Sequence, residues 1–76
     1  MDIFILRHNG GYLGAFRRAE DAQRAAYTRA VDRGELAEGA EHTWESDEDP
    51  RPGHAGLWMW VGEYCLAYEV RQDRLR

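Results

Sequence analysis

The sequence predicts an α+β domain of order β1-β2-α1-β3-β4, a mainly antiparallel sheet with one helix on one face. Three observations predict it. Two stretches rich in apolar and β-branched residues each contain a two-residue hairpin turn signal, Asn9–Gly10 and Gly62–Glu63. Between them lies one run dominated by strong helix formers, Ala19–Arg33. At 76 residues the chain makes a single domain, residues 1–76, with a modest core.

Asp2–Arg7 (D-I-F-I-L-R) reads as the first strand and Tyr12–Phe16 as its return. Asn and Gly tolerate the positive φ that a type I′ turn requires at both central positions. That turn would set Leu6 opposite Leu13, Ile5 opposite Gly14, Phe4 opposite Ala15 and Ile3 opposite Phe16. Gly11 offers an alternative, a bulged loop that shifts the register by one and exchanges the faces.

Ala19–Arg33 follows as the helix. Glu20 and Asp21 sit in its first turn, and Arg29 and Arg33 near its end, as the macrodipole favours. No Ser, Thr, Asp or Asn stands just before it, so the N-cap is weak. Gly34 suits the C′ position. Ala22, Ala26 and Ala30 recur every fourth residue and give a narrow stripe. Such a stripe allows close approach to a sheet that supplies the bulk.

Residues 41–56 form an irregular stretch. Pro50, Pro52, Gly53 and Gly56 disfavour helix and central strand. His42–Glu45 is a candidate short edge strand. Glu41, Glu45, Asp47, Glu48 and Asp49 stand close together with no arginine among them.

Leu57–Val70 (L-W-M-W-V-G-E-Y-C-L-A-Y-E-V) is the most apolar and aromatic part of the chain. A type II′ turn at Gly62–Glu63 would set Val61 opposite Tyr64, Trp60 opposite Cys65, Met59 opposite Leu66, Trp58 opposite Ala67 and Leu57 opposite Tyr68. Met59, Leu66 and Val70 then share one face, and Trp58 and Trp60 the other. One helix covers one face, so the other needs the 41–56 loop, Trp44 or another molecule. Residues 71–76 read as a polar tail, open to continuing the last strand before it frays.

Charge narrows the partners. The net charge is −4, and residues 41–76 carry the whole excess. A negative domain does not neutralise phosphates, so direct nucleic-acid binding is not expected. A basic protein surface suits it better. All ten basic residues are arginine, which speaks to genome composition rather than mechanism. No apolar run is long enough to cross a membrane as a helix, and Met1–Ile5 does not read as a signal peptide. The expected location is the cytoplasm.

Chemistry-bearing motifs are not evident. One cysteine, Cys65, gives no disulfide within the chain, and no local motif makes it a nucleophile. His42 and His54, twelve positions apart through a Pro/Gly segment, match no metal-ligand spacing. The D-E-D-P run lacks the spacing of a calcium loop. His8 reads as a turn flank, and G-G-Y-L-G is not followed by the helix start that a phosphate loop needs. No catalytic residue, cofactor or metal is expected. Trp44, Glu45, Asp47, Glu48, Asp49, Trp58 and Trp60 are the candidate partner-binding residues.

Two hairpins flanking one helix in a small acidic chain without a catalytic motif resemble the anti-defence proteins of phages and mobile elements. Anti-CRISPR proteins that bind type I surveillance complexes are the nearest comparison, on size, acidity and ββαββ pattern. Y-L-G-A-F-R-R-A-E-D-A also resembles the hairpin-into-helix start of many small phage and bacterial domains. The resemblance implies stoichiometric binding to a bacterial host protein, with acidic side chains occupying a DNA-binding site. The alternative is a small homodimer associating through the tryptophan-bearing face. A Cys65-dependent enzyme is a third class.

Overall fold

The computed structural model describes residues 2–46 and 56–74. Its elements are β1 (Asp2–His8), β2 (Gly11–Phe16), α1 (Ala19–Asp32), β3 (Thr43–Ser46), β4 (Gly56–Val61) and β5 (Tyr64–Arg74). All five strands form one antiparallel sheet in the order β2-β1-β5-β4-β3. The α+β class and the helix on one face agree with the sequence. The four-strand order does not: Thr43–Ser46 is a fifth strand, so the second hairpin is β4-β5.

The reason lies in the local pattern. Thr43 and Trp44 favour extended backbone, and β4 needs a neighbour on its outer side. Thr43 pairs with Trp60, Trp44 with Met59, Glu45 with Trp58 and Ser46 with Leu57. The polar tail continues the last strand, the alternative its sequence left open. β5 continues through Arg74, because its second half pairs along the whole of β1, from His8–Tyr68 to Asp2–Arg74. This long pairing joins the two hairpins and makes β1 and β5 the middle of the sheet.

Both hairpin turns form as their residues dictate. Asn9 and Gly10 take φ of 52° and 82°, and Gly62 takes 59° while Glu63 stays negative, the signs of I′ and II′ turns. The registers hold beside the turns and change farther on. In the first hairpin Arg7 faces Tyr12, but Leu6 faces Gly14 and Phe4 faces Phe16. Leu13 is the extra residue of a bulge, so the shift arises inside β2 and not at Gly11. The gain is packing: Leu13, Phe16 and Phe4 all lie against the core. Gly14 accommodates this, since a Cβ there would stand 3.3 Å from the Phe16 ring.

In the second hairpin Trp60 faces Cys65, whereas Trp58 faces Glu69 and Leu57 faces Val70. Two additional β5 residues are therefore accommodated opposite Met59. Ala67 lies in this bulge with φ of 62°, a conformation that costs a non-glycine residue about 1–2 kcal/mol. The predicted pairs Trp58–Ala67, Leu57–Tyr68 and Met59–Leu66 are thereby replaced. A shift of two preserves the faces, so Tyr68 and Val70 still lie with Leu57 and Met59.

The helix has no side-chain N-cap at Arg18, as its sequence implies. Its far end closes in a Schellman arrangement. Gly34, with φ of 74°, donates from N to Val31 O, and Glu35 N donates to Ala30 O at 2.8 Å. Ala22, Ala26 and Ala30 are wholly buried. The bulk opposite them comes from Leu6, Met59, Tyr68 and Val70, with Leu36 closing the helix end. The helix takes the Met59 face.

Candidate functional site

That placement fixes what each candidate residue can do. Along β4 successive side chains alternate between faces. Met59 is fully buried under the helix side, so Trp58 and Trp60 project from the opposite face, each half-buried. The β3–β4 ladder is regular across this stretch, which puts Glu45 beside Trp58 and Thr43 beside Trp60 on that face. Both β3 residues are exposed.

Trp44 is not part of this group. It pairs with Met59 and packs against the core from the helix side. With Gln23, Arg24, Tyr27, Gly39, Ala40 and His42 it lines a shallow groove of about 500 Å³. His42 stacks on Tyr27 with centroids 5.2 Å apart, and its Nδ1 lies 3.3 Å from Ala40 O. The Tyr27 hydroxyl accepts a hydrogen bond from Gly39 N at 2.6 Å. These contacts tie the segment after the helix back onto the helix. The expected grouping of Trp44 with Glu45 is therefore divided, because adjacent strand residues point to opposite faces. Asp47, Glu48 and Asp49 lie outside the described residues, as does His54; in sequence the three acids directly follow Ser46.

The tryptophan face has a charged centre that local sequence patterns did not disclose. Glu69 stands opposite Trp58 on one side and Arg7 on the other. Its carboxylate accepts two hydrogen bonds from Arg71, at 2.6 Å from Nη2 and 3.0 Å from Nε, and lies 3.9 Å from Arg7 Nη1. Its side chain is 12% exposed, so the charges are partly shielded from water. Arg7 and Glu69 meet because β1 pairs with β5, a contact between the two ends of the chain. Only the alternation E-V-R hinted that Glu69 and Arg71 share a face.

A second cluster sits at the helix C-terminus on the covered side. His8 stacks on Tyr68 at 4.1 Å with a 12° interplanar angle. The Tyr68 hydroxyl donates to Glu35 Oε1 at 2.6 Å, while Glu35 Oε2 lies 3.4 Å from His8 Nε2 and Oε1 lies 3.2 Å from Arg33 Nε. Burial, then the hydrogen bond to the Glu35 carboxylate, pushes the Tyr68 phenol up to about 12. A phenol so firmly neutral serves as a hydrogen-bond donor that anchors the post-helix segment, and His8 is a packing partner rather than a bare turn flank.

Cys65 is exposed opposite Trp60. Among the described residues no three His, Cys, Asp or Glu side chains are grouped to hold a metal ion, and no helix is long and apolar enough to cross a membrane. No family model, curated protein or solved structure matches the chain.

Proposed function

We propose that this protein is a non-enzymatic inhibitor that binds a basic protein surface, in the manner of the anti-CRISPR proteins. The supporting observation is the face taken by the helix. With Met59 buried on the helix-bearing face, Trp58 and Trp60 stand with Glu45 on the opposite face, and in sequence Asp47, Glu48 and Asp49 follow directly after β3. Large aromatic side chains supply contact energy, and neighbouring carboxylates supply steering and register toward a cationic partner. The partner this combination suits is the DNA-binding surface of a bacterial defence complex, such as a subunit of a type I CRISPR surveillance complex. In this reading the acids take the place of phosphates, the work is done in the host cytoplasm, and no cofactor, metal or direct nucleic-acid contact takes part.

The test is capture of purified type I surveillance complexes by the intact chain, followed by displacement of their target DNA. Neutralising Glu45, Asp47, Glu48 and Asp49 together should weaken capture by about tenfold or more, chiefly through slower association. Undiminished affinity in a variant with an unchanged melting curve would sink the acidic mechanism. One observation favours a second reading. The same tryptophan face, turned away from the helix, also suits association with a second copy. Sedimentation showing a monomer at high concentration would remove that alternative.

A further inference from the structure

We propose that the groove between α1 and the segment leading into β3 binds a small aromatic carboxylate, a ring carrying a single anionic group. The site lies on the helix side of the sheet and stands independently of the basic-partner reading. Two parts of the chain build its walls. Gln23, Arg24 and Tyr27 belong to α1, Gly39, Ala40 and His42 to the segment returning from the helix, and Trp44 to β3. The returning wall is fastened to the helix. Gly39 N donates to the Tyr27 hydroxyl at 2.6 Å, and His42 stacks on Tyr27 with centroids 5.2 Å apart. A groove held in this way needs little ordering when a ligand arrives, which lowers the entropic cost of binding. Its volume of about 500 Å³ suits one ring with a short acidic arm. Tyr27, His42 and Trp44 supply aromatic surface for that ring.

Charge selects the occupant. Among the described residues no carboxylate lines the groove, whereas Arg24 does. Arg33 and Arg71 are held by Glu35 and Glu69, but Arg24 is bound by no acid among the described residues. Glu20 and Asp21, one turn before it, form no ion pair with it. Its exposed guanidinium is therefore available to donate to a carboxylate. The helix is also locally positive in a chain of net charge −4, since residues 17–33 hold five arginines and three acids. The other wall limits the ligand to one charge. Glu38 and Glu41 adjoin its lining residues in sequence and are exposed, so they disfavour a second anionic group there. A cationic ring finds no acceptor carboxylate in the lining, and a polyanion meets these two glutamates. The arrangement suits a single carboxylate set against the helix wall, with the ring in the groove.

Indole-3-acetate and tryptamine share a ring and carry opposite charges, and they provide the probes. The intact chain, labelled with ¹⁵N, is titrated with each while the three indole N–H resonances and the Gly39 amide are followed. Indole-3-acetate should shift Trp44 and Gly39 saturably and leave Trp58 and Trp60 in place. It should bind about three- to fivefold more tightly than tryptamine, the share an exposed ion pair supplies. Arg24→Gln, an exposed change that spares the packing, should lower affinity for indole-3-acetate about threefold and erase the preference between the probes, with an unchanged melting curve. Equal affinities in the parent chain, no saturable shift at Trp44, or full preference retained by Arg24→Gln would each overturn the site. Because Glu45 and the opposite sheet face are untouched by these changes, such a failure leaves the basic-partner reading to its own test.

Discussion

Truncating Met59 and Trp60 separately tests which face of the sheet is structural. The two residues are adjacent in sequence and point to opposite sides. Met59 is fully buried on the sheet face that the helix shares, so Met59→Ala removes its side chain beyond Cβ from a packed site and leaves a cavity, at a cost of about 3 kcal/mol. Trp60 is half-buried on the other face. Its truncation opens no closed cavity there and should cost about 1 kcal/mol, despite the larger side chain. A domain of this size has roughly 4–11 kcal/mol of total stability, so the first change takes a large share and the second a small one. Each kcal/mol corresponds to about 4–8 °C in Tm for a domain this small. Met59→Ala should therefore lower Tm by about 12 °C or more, and Trp60→Ala by about 4–8 °C. Urea unfolding followed by far-UV circular dichroism gives the comparison without depending on tryptophan emission. The slopes should match the parent in both variants. Met59→Leu, which keeps the volume, should cost less than about 1.5 kcal/mol. If Trp60→Ala costs as much as Met59→Ala, the tryptophans are core, and the interaction face loses its basis.

Two further outcomes follow from the closing segment of the helix. Gly34→Ala places a Cβ on a residue with φ of 74°; it should destabilise the chain by about 1 kcal/mol, measured by urea unfolding, and a neutral result would count against the Schellman closure. The Tyr68 phenol, raised from 10.0 to about 12, favours the folded state while it stays protonated. That contribution is complete below pH 10 and is lost as pH rises through 12. Stability should fall between those values, and Tyr68→Phe should flatten the fall while lowering stability at pH 8 by about 1 kcal/mol through the lost hydrogen bond to Glu35.

Local features were legible where the cause is local. Asn9–Gly10 and Gly62 adopt the positive φ values their turns require, Gly34 ends the helix, and the alanine stripe is buried throughout. What escaped depends on contacts between distant parts of the chain. Register counted outward from a turn is valid until packing of the hairpin on the helix demands an extra residue, and both hairpins have such a place. Leu13 bulges so that Phe4 and Phe16 face each other on the core side. Ala67 bulges so that the lower half of β5 can pair with β1 along its full length. Ala67 has no glycine beside it, so the sequence there reads as uninterrupted strand, whereas Gly14 next to Leu13 is a bulge signal that a register counted from the turn passes over. Thr43–Ser46, only four residues long, becomes a strand because β4 offers it a partner. The sequence did offer His42–Glu45 as a short edge strand, one residue out of place; what it did not name is the strand it joins.

The same alternation that revealed the two faces of β4 also divides the candidate site. Grouping Trp44 with Glu45 treats neighbours in sequence as neighbours in space, which holds in a loop and fails in a strand. Once Thr43–Ser46 pairs with β4, Trp44 goes to the helix side and Glu45 to the side of Trp58. A surface that seemed to combine Trp44 with Glu45 becomes two surfaces. One is an aromatic groove containing Arg24; the other is a pair of indoles with a carboxylate beside them. Glu69 and Arg71 lie next to the second and hold each other at 2.6 Å. A shielded, mutually satisfied pair of this kind contributes little net attraction to a partner. It does occupy the middle of the sheet with groups that need no further partner, which leaves the β3–β4 end, with Glu45 exposed at the sheet edge, as the part of this face where an incoming cation finds an acceptor. For that reason the decisive substitutions on this face are Glu45 and Trp60, and not the more conspicuous ion pair at its centre.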